Sequence, residues 1–151
     1  MSSNEYTSLV ELRPHLGQQI STAQFEINRD LKIINCSSSP KYYSQIECLF
    51  NPPKLREDIV SAVWSMINGA FTKPVLHSDN SSEYVPTQIL AEFFKSEGFD
   101  GVCFKSGMGN GLNFVIFNLD DVDLINCTVM ETKRIKYEFE ESVSRYFVKK
   151  Q

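Results

Sequence analysis

The most glycine-rich stretch of the chain is Ser106-Gly-Met-Gly-Asn-Gly111, followed by Leu112 and Asn113. Glycines at alternate positions permit positive φ and close approach of a ligand to the backbone. The loop amides could line an anion, with Ser106 and Asn113 as flanking hydrogen-bonding groups. The same residues also read as an ordinary hairpin loop, because Asn-Gly between apolar runs is a strong hairpin signal. Neither a Walker A pattern nor a GxGxxG opening a helix is matched, so nucleoside triphosphate and Rossmann readings fail. A second candidate is Glu11, set among apolar neighbours in Leu9-Val10-Glu11-Leu12. It is either a carboxylate held in a pocket and tuned by it, or a solvated one whose neighbours turn inward. Cys36, Cys48, Cys103 and Cys127 are widely spaced, mostly in apolar contexts, and read as buried reduced thiols of a cytoplasmic protein. His15 and His77 stand alone, without CxxC or HxxxH spacing, so no metal is expected.

The elements that must position these groups belong to a chain of 151 residues, 42% hydrophobic and 23% charged. That balance excludes a disordered tail or a fibre, and the length suits one domain with its own core. The net charge of -4 argues against a nucleic-acid partner. No apolar run exceeds the four residues Phe114 to Phe117, far short of a membrane span, and the start MSSNEYTS lacks the features of a secretory signal.

Ser3 or Asn4 is expected to cap a short helix through Tyr6, Leu9, Val10 and Leu12, stopped by Pro14. Ser21 to Ile27 alternates as a strand burying Ala23, Phe25 and Ile27, with a turn at Asn28-Arg29-Asp30 and a returning strand over Leu31 to Cys36. Helices are predicted over Lys41 to Phe50 and Leu55 to Asn68, the second with Ile59, Val63 and Ile67 at helical spacing beside Trp64. After a loop at His77 to Glu83, a helix opens at Pro86, carries Ile89, Leu90, Phe93 and Phe94, and ends at Gly98. Gly101 to Lys105 and Leu112 to Asn118 read as buried strands, and Val122 to Val129 and Arg134 to Phe139 as further strands. The whole is one α+β domain with a strand-rich second half.

Three segments in order resemble a known family. They are Tyr84-Val-Pro-Thr-Gln-Ile-Leu-Ala-Glu92, Gly98-Phe-Asp-Gly-Val-Cys-Phe-Lys-Ser106 and Gly111-Leu-Asn-Phe-Val-Ile-Phe117. They resemble the C-terminal half of a RES domain, with its Y-x-P-T-Q, G-x-D-G-I-x-Y/F-x-S and G-x-N-x-V-x-F patterns. Val10-Glu11-Leu12-Arg13-Pro14-His15 resembles the family's glutamate segment. The likeness is clearest over residues 9–118, with 119–151 as C-terminal strands and tail of the same domain.

The resemblance implies an ADP-ribosyltransferase-like mixed sheet core with flanking helices. It implies an NAD+-degrading toxin of a bacterial toxin–antitoxin pair, acting by phosphorolysis or hydrolysis without cofactor or metal. Expected partners are NAD+, a protein antitoxin and a second copy in a homodimer, with no membrane and no nucleic acid. Carried over, Glu11 is the family's glutamate and Ser106 its serine, the catalytic candidates, with Gln88 and Asn113 as candidate NAD-binding residues. The family's arginine and a tyrosine-bearing strand precede its glutamate. Only ten residues precede Glu11, so neither has a counterpart, Arg13 is no substitute, and the chain is expected to begin part-way into the domain. Two alternatives stay open: a catalytically inactive remnant that only binds a partner, and a protein ADP-ribosyltransferase.

Overall fold

A computed structural model describes residues 1–38, 43–73 and 85–141. The expected loop at His77 to Glu83, the first residues of the helix expected from Lys41, and Tyr84 lie outside the described residues. The elements run α1 (Glu5–Glu11), β1 (Gln19–Ile27), β2 (Ile33–Asn35), α2 (Gln45–Phe50), α3 (Arg56–Thr72), α4 (Val85–Ser96), β3 (Gly101–Lys105), β4 (Leu112–Ile116) and β5 (Val122–Glu131). The chain is an α+β fold with two sheets, one of order β2-β3-β4 and one a ribbon of β1 with β5.

The three-stranded sheet carries the core. β2 runs parallel to β3 and β4 antiparallel to it. A parallel neighbour needs a long crossover, and the stretch holding α2, α3 and α4 supplies it. Cys36, Phe94 and Val102 are buried at the centre, with Trp64, Ile67, Phe71, Leu90, Phe99 and Phe104 packed around them. Phe71 of α3 stacks on Phe104 of β3 at 5.2 Å between ring centres. Burial pushes the Cys36 thiol up to about 11, with the neighbouring Cys103 adding to the effect. All four cysteines are free, and Cys127, expected inside, is exposed.

Helix α4 ends as its sequence predicts. Gly98 adopts φ +81, Phe99 N donates to Phe94 O and Gly98 N to Lys95 O. This is a Schellman cap whose two phenylalanines both join the core. Its stripe is narrower than expected: Phe94 is buried and Leu90 partly so, whereas Ile89 and Phe93 face outward. In α3 the inward residues are Ala62, Trp64, Ser65, Ile67 and Phe71, and Ile59 and Val63 are exposed.

The predicted β1–β2 hairpin does not form. β1 pairs antiparallel with β5 from Gln19↔Glu131 to Ile27↔Val122, and β2 joins the other sheet. The turn between them is pinned elsewhere. Asn28 N donates to Asp121 O, and Arg29 makes a fork onto Asp121, with Nε to Oδ1 at 2.8 Å and Nη2 to Oδ2 at 2.6 Å. Arg29 Nη2 also reaches Asp100 Oδ1 at 2.7 Å, and Lys32 N donates to Asp100 Oδ2. These bonds tie the end of β1 to the starts of β3 and β5, so the chain crosses from one sheet to the other there.

The expected buried face of β1 is exposed. Opposed residues of an antiparallel pair share a side, which puts Ala23 with Cys127, Phe25 with Leu124 and Ile27 with Val122. Phe25, Ile27 and Leu124 are all exposed, and so is the bulged Ile125. The opposite side, with the buried Ile20 and with Thr22, faces α1, and Thr22 Oγ1 donates to Glu5 Oε1. The strand expected over Arg134 to Phe139 is absent: this stretch is irregular, and its exposed Tyr137 and Phe139 stack on each other. An alternating pattern alone supplies no edge to pair with.

Candidate functional site

Helix α1 is held at both ends. Asn4 caps it by accepting from Thr7 N at 2.8 Å. Leu12 N and Arg13 N close the last turn onto Leu9 O and Val10 O, and Arg13 takes φ +47 just before Pro14. Proline disfavours a helical conformation at the residue before it, which fixes the stop. Upstream, residues 1–3 lie along β4: Phe114 N donates to Met1 O, Met1 N to Phe114 O, and Ser3 N to Leu112 O.

The glycines of the β3–β4 loop let α1 close onto the hairpin. Thr7 is fully buried against the loop. A Cβ on Gly109 would meet Thr7 Oγ1 at 2.8 Å, and one on Gly111 would meet Thr7 Oγ1 at 2.5 Å and Ser3 Oγ at 2.6 Å. Two of the loop amides are directed to the Ser106 hydroxyl. Met108 N and Gly109 N donate to Ser106 Oγ at 3.1 and 2.8 Å, and Ser106 N donates to Gly111 O across the loop. The hairpin reading is the observed one.

This packing brings Glu11 at the end of α1 to Ser106 and Asn113. Ser106 Oγ donates to Glu11 Oε1 at 2.5 Å, and Asn113 Nδ2 donates to the same oxygen at 2.7 Å. Asn113 Oδ1 accepts from Ser2 Oγ at 2.7 Å. The Ser106 hydroxyl is thus fully employed, donating once and accepting twice. Both donors hold the carboxylate through this one oxygen. Gln88 lies exposed in the first turn of α4 and bonds to none of these three.

A groove of about 780 Å³ lies between α1 and the β1–β5 ribbon, lined by Ser2, Asn4, Glu5, Ser8, Thr22 and Asn126 among others. Glu11 and Ser106 do not line it, and neither does any arginine or lysine. Arg29 is committed to Asp100 and Asp121. Among the described residues no cluster suits a metal ion, and no helix is long and apolar enough to cross a membrane.

Sequence reasoning missed Ser2 and Thr7. Ser2 carried no signal, but the i, i+2 glycine pair at 109 and 111 marks a close approach and so pointed toward a partner such as Thr7.

In this α+β domain a helix-end glutamate meets a serine and an asparagine of one hairpin. The family model described as RES domain matches residues 1–139, and the chain belongs to the RES domain family. Neither the curated proteins nor the solved structures give a match.

Proposed function

We propose that the chain is a RES-type NAD+-consuming domain, the toxin half of a pair with a protein antitoxin, in which Glu11 stabilises the ribosyl cation. The observation that supports this is a carboxylate at the end of a helix tied down through Oε1 by two donors from one hairpin. In NAD+ the glycosidic C–N bond breaks with its electron pair going to the pyridinium nitrogen. Nicotinamide leaves neutral and needs no acid, unlike the oxygen of an ordinary glycoside. The ribosyl carbon becomes an oxocarbenium-like cation, which a fixed carboxylate stabilises because its charge needs no reorganisation in the transition state. Water then adds and loses a proton to give ADP-ribose, or phosphate adds to give the ribosyl phosphate.

Ser106 acts through Glu11, since its hydroxyl has no capacity left for attack and no histidine partner among the described residues. Incubating the chain with NAD+ and phosphate should release nicotinamide. Glu11→Gln keeps the size and removes the charge, and should slow release by about 100- to 1000-fold. Near-normal turnover in that variant would overturn the role of Glu11. Labelled NAD+ separates the acceptors: label on protein would mark an ADP-ribosyltransferase.

A second reading, a domain that binds a partner without catalysis, draws on the outward apolar side of the β1–β5 ribbon, because exposed patches of this kind mark interaction surfaces. Nicotinamide release that Glu11→Gln abolishes would sink it.

A further inference from the structure

Resting on that reading of Glu11, we propose that Asn113 is a positioning residue that sets the orientation of the Glu11 carboxylate, and that it does not contact NAD+. Both ends of its amide are used within the protein. Nδ2 donates to Glu11 Oε1 at 2.7 Å, and Oδ1 accepts from Ser2 Oγ at 2.7 Å. The amide can sit only one way round. Turned over, it would set its oxygen against a carboxylate oxygen, while the Ser2 hydroxyl could donate or accept equally well. The charge on Glu11 therefore selects the rotamer of Asn113, and Asn113 in return fixes the carboxylate.

The backbone keeps that amide in place from both sides. Asn113 pairs with Phe104 across the hairpin, and the isolated bridge Ser2↔Asn113 holds its other flank. Ser106 and Asn113 reach the same oxygen from the two sides of the hairpin, so the position of Oε1 is fixed by two donors. A glutamate at a helix end, with only its own rotamers to hold it, would sample several orientations, and a misplacement of about 1 Å can cost about 100-fold in rate.

The test compares Asn113→Asp with the parent chain. Aspartate keeps the shape and the acceptor for Ser2, and reverses only the bond to Glu11. The expected result is a fall in kcat for nicotinamide release of about 100-fold, with KM for NAD+ within about twofold. Asn113→Ala should fall less far, because it removes an anchor without adding repulsion. A loss confined to KM would place Asn113 in substrate binding and overturn the proposal, as would an unchanged kcat in Asn113→Asp.

A second measurement needs no activity. In the amide proton spectrum the Asn113 side-chain NH2 should be displaced by its carboxylate partner, and Glu11→Ala should return it to the position of a free amide. An Asn113 signal that does not move in Glu11→Ala overturns the proposal. If it moves while the parent chain releases no nicotinamide, the orienting contact stands and the NAD+ reading alone fails.

Discussion

The two sheets of this protein are built from similar residues and kept very differently. In the three-stranded sheet, β3 is covered by α3 and α4, Val102 is fully buried and Phe94 is 6% exposed. In the ribbon, Phe25 is 40% exposed and Leu124 59%, on strands twice as long. Apolar residues are present in both, but among the described residues the three-stranded sheet is covered by the long helices α3 and α4, whereas the ribbon meets only the short α1 on one side. A two-stranded ribbon is marginal by itself, and this one is held by its turn bonds and by α1. The candidate site belongs to the covered sheet: Ser106 and Asn113 stand at the loop end of its hairpin, and Glu11 is brought to them.

The contrast can be broken most severely at Phe94. Truncation to alanine removes a buried ring that touches Cys36 and Val102 and leaves a cavity. Phe94→Ala should cost about 3–5 kcal/mol of stability, read as a lower denaturant midpoint with little change in slope. A smaller effect is expected at the joint between hairpin and helix. Gly111→Ala sets a methyl among Thr7, Ser3 and Asn4, where Asn4 Oδ1 caps the helix by accepting from Thr7 N and Ser3 Oγ accepts from Leu112 N. Overpacking of this kind costs about 1–3 kcal/mol. Because it pushes α1 away, nicotinamide release should fall along with the melting temperature. Retained activity at lowered stability would separate the packing of α1 from the placing of Glu11.

The tie between the two sheets should show itself in acid. The bond from Arg29, helped by the Lys32 amide, holds the Asp100 carboxyl below the ordinary carboxylate range, and Asp100 and Asp121 raise Arg29 further above its usual value. A carboxyl with a depressed folded value binds its proton more readily when unfolded. Its stabilisation is complete above the ordinary aspartate value near 4 and is lost as pH falls through the depressed one. Arg29 stays charged throughout. Stability should therefore decline below about pH 4, and Arg29→Met should flatten that decline as well as lower the plateau. A parent chain whose melting temperature is level from pH 5 to 3 would show that the tie does not couple to stability.

Local signals in the sequence were enough for several elements, and failed where the partner was remote. The cap at Asn4, the stop at Pro14, the glycine end of α4 and the β3–β4 hairpin each depend on residues a few positions apart. The partner of β1 does not. An alternating pattern says that a strand has two sides, but not which strand lies beside it, and β5 begins about a hundred residues downstream. The turn at Asn28 to Asp30 looked like a hairpin because Arg29 gave no hint that it would be taken by Asp100 and Asp121. At the site, the positions of Glu11 and Ser106 came from the ordered family segments; their spacing alone favoured a solvated glutamate and a plain hairpin loop. The Asn113 bond was hidden for the same reason as the β1 pairing. It depends on Ser2 and Glu11 arriving from the other end of the chain.

The smallest effect on stability is expected on the outward side of the ribbon, and it tests whether that side is a surface for another molecule. Phe25 faces Leu124 across the strands and already meets water over much of its area. Phe25→Ser should therefore lower stability by only about 1 kcal/mol or less, the scale of a single cross-strand pair. If the exposed apolar side has no use, the variant should differ from the parent only in that small loss. If it serves association, the variant should elute later than the parent in size-exclusion chromatography at equal concentration while nicotinamide release per chain is unchanged, because Glu11, Ser106 and Asn113 lie on the other sheet's hairpin and helix. A loss of several kcal/mol at Phe25 would instead mean that the ribbon is covered in solution by a part of the chain itself, and the contrast between the two sheets would disappear.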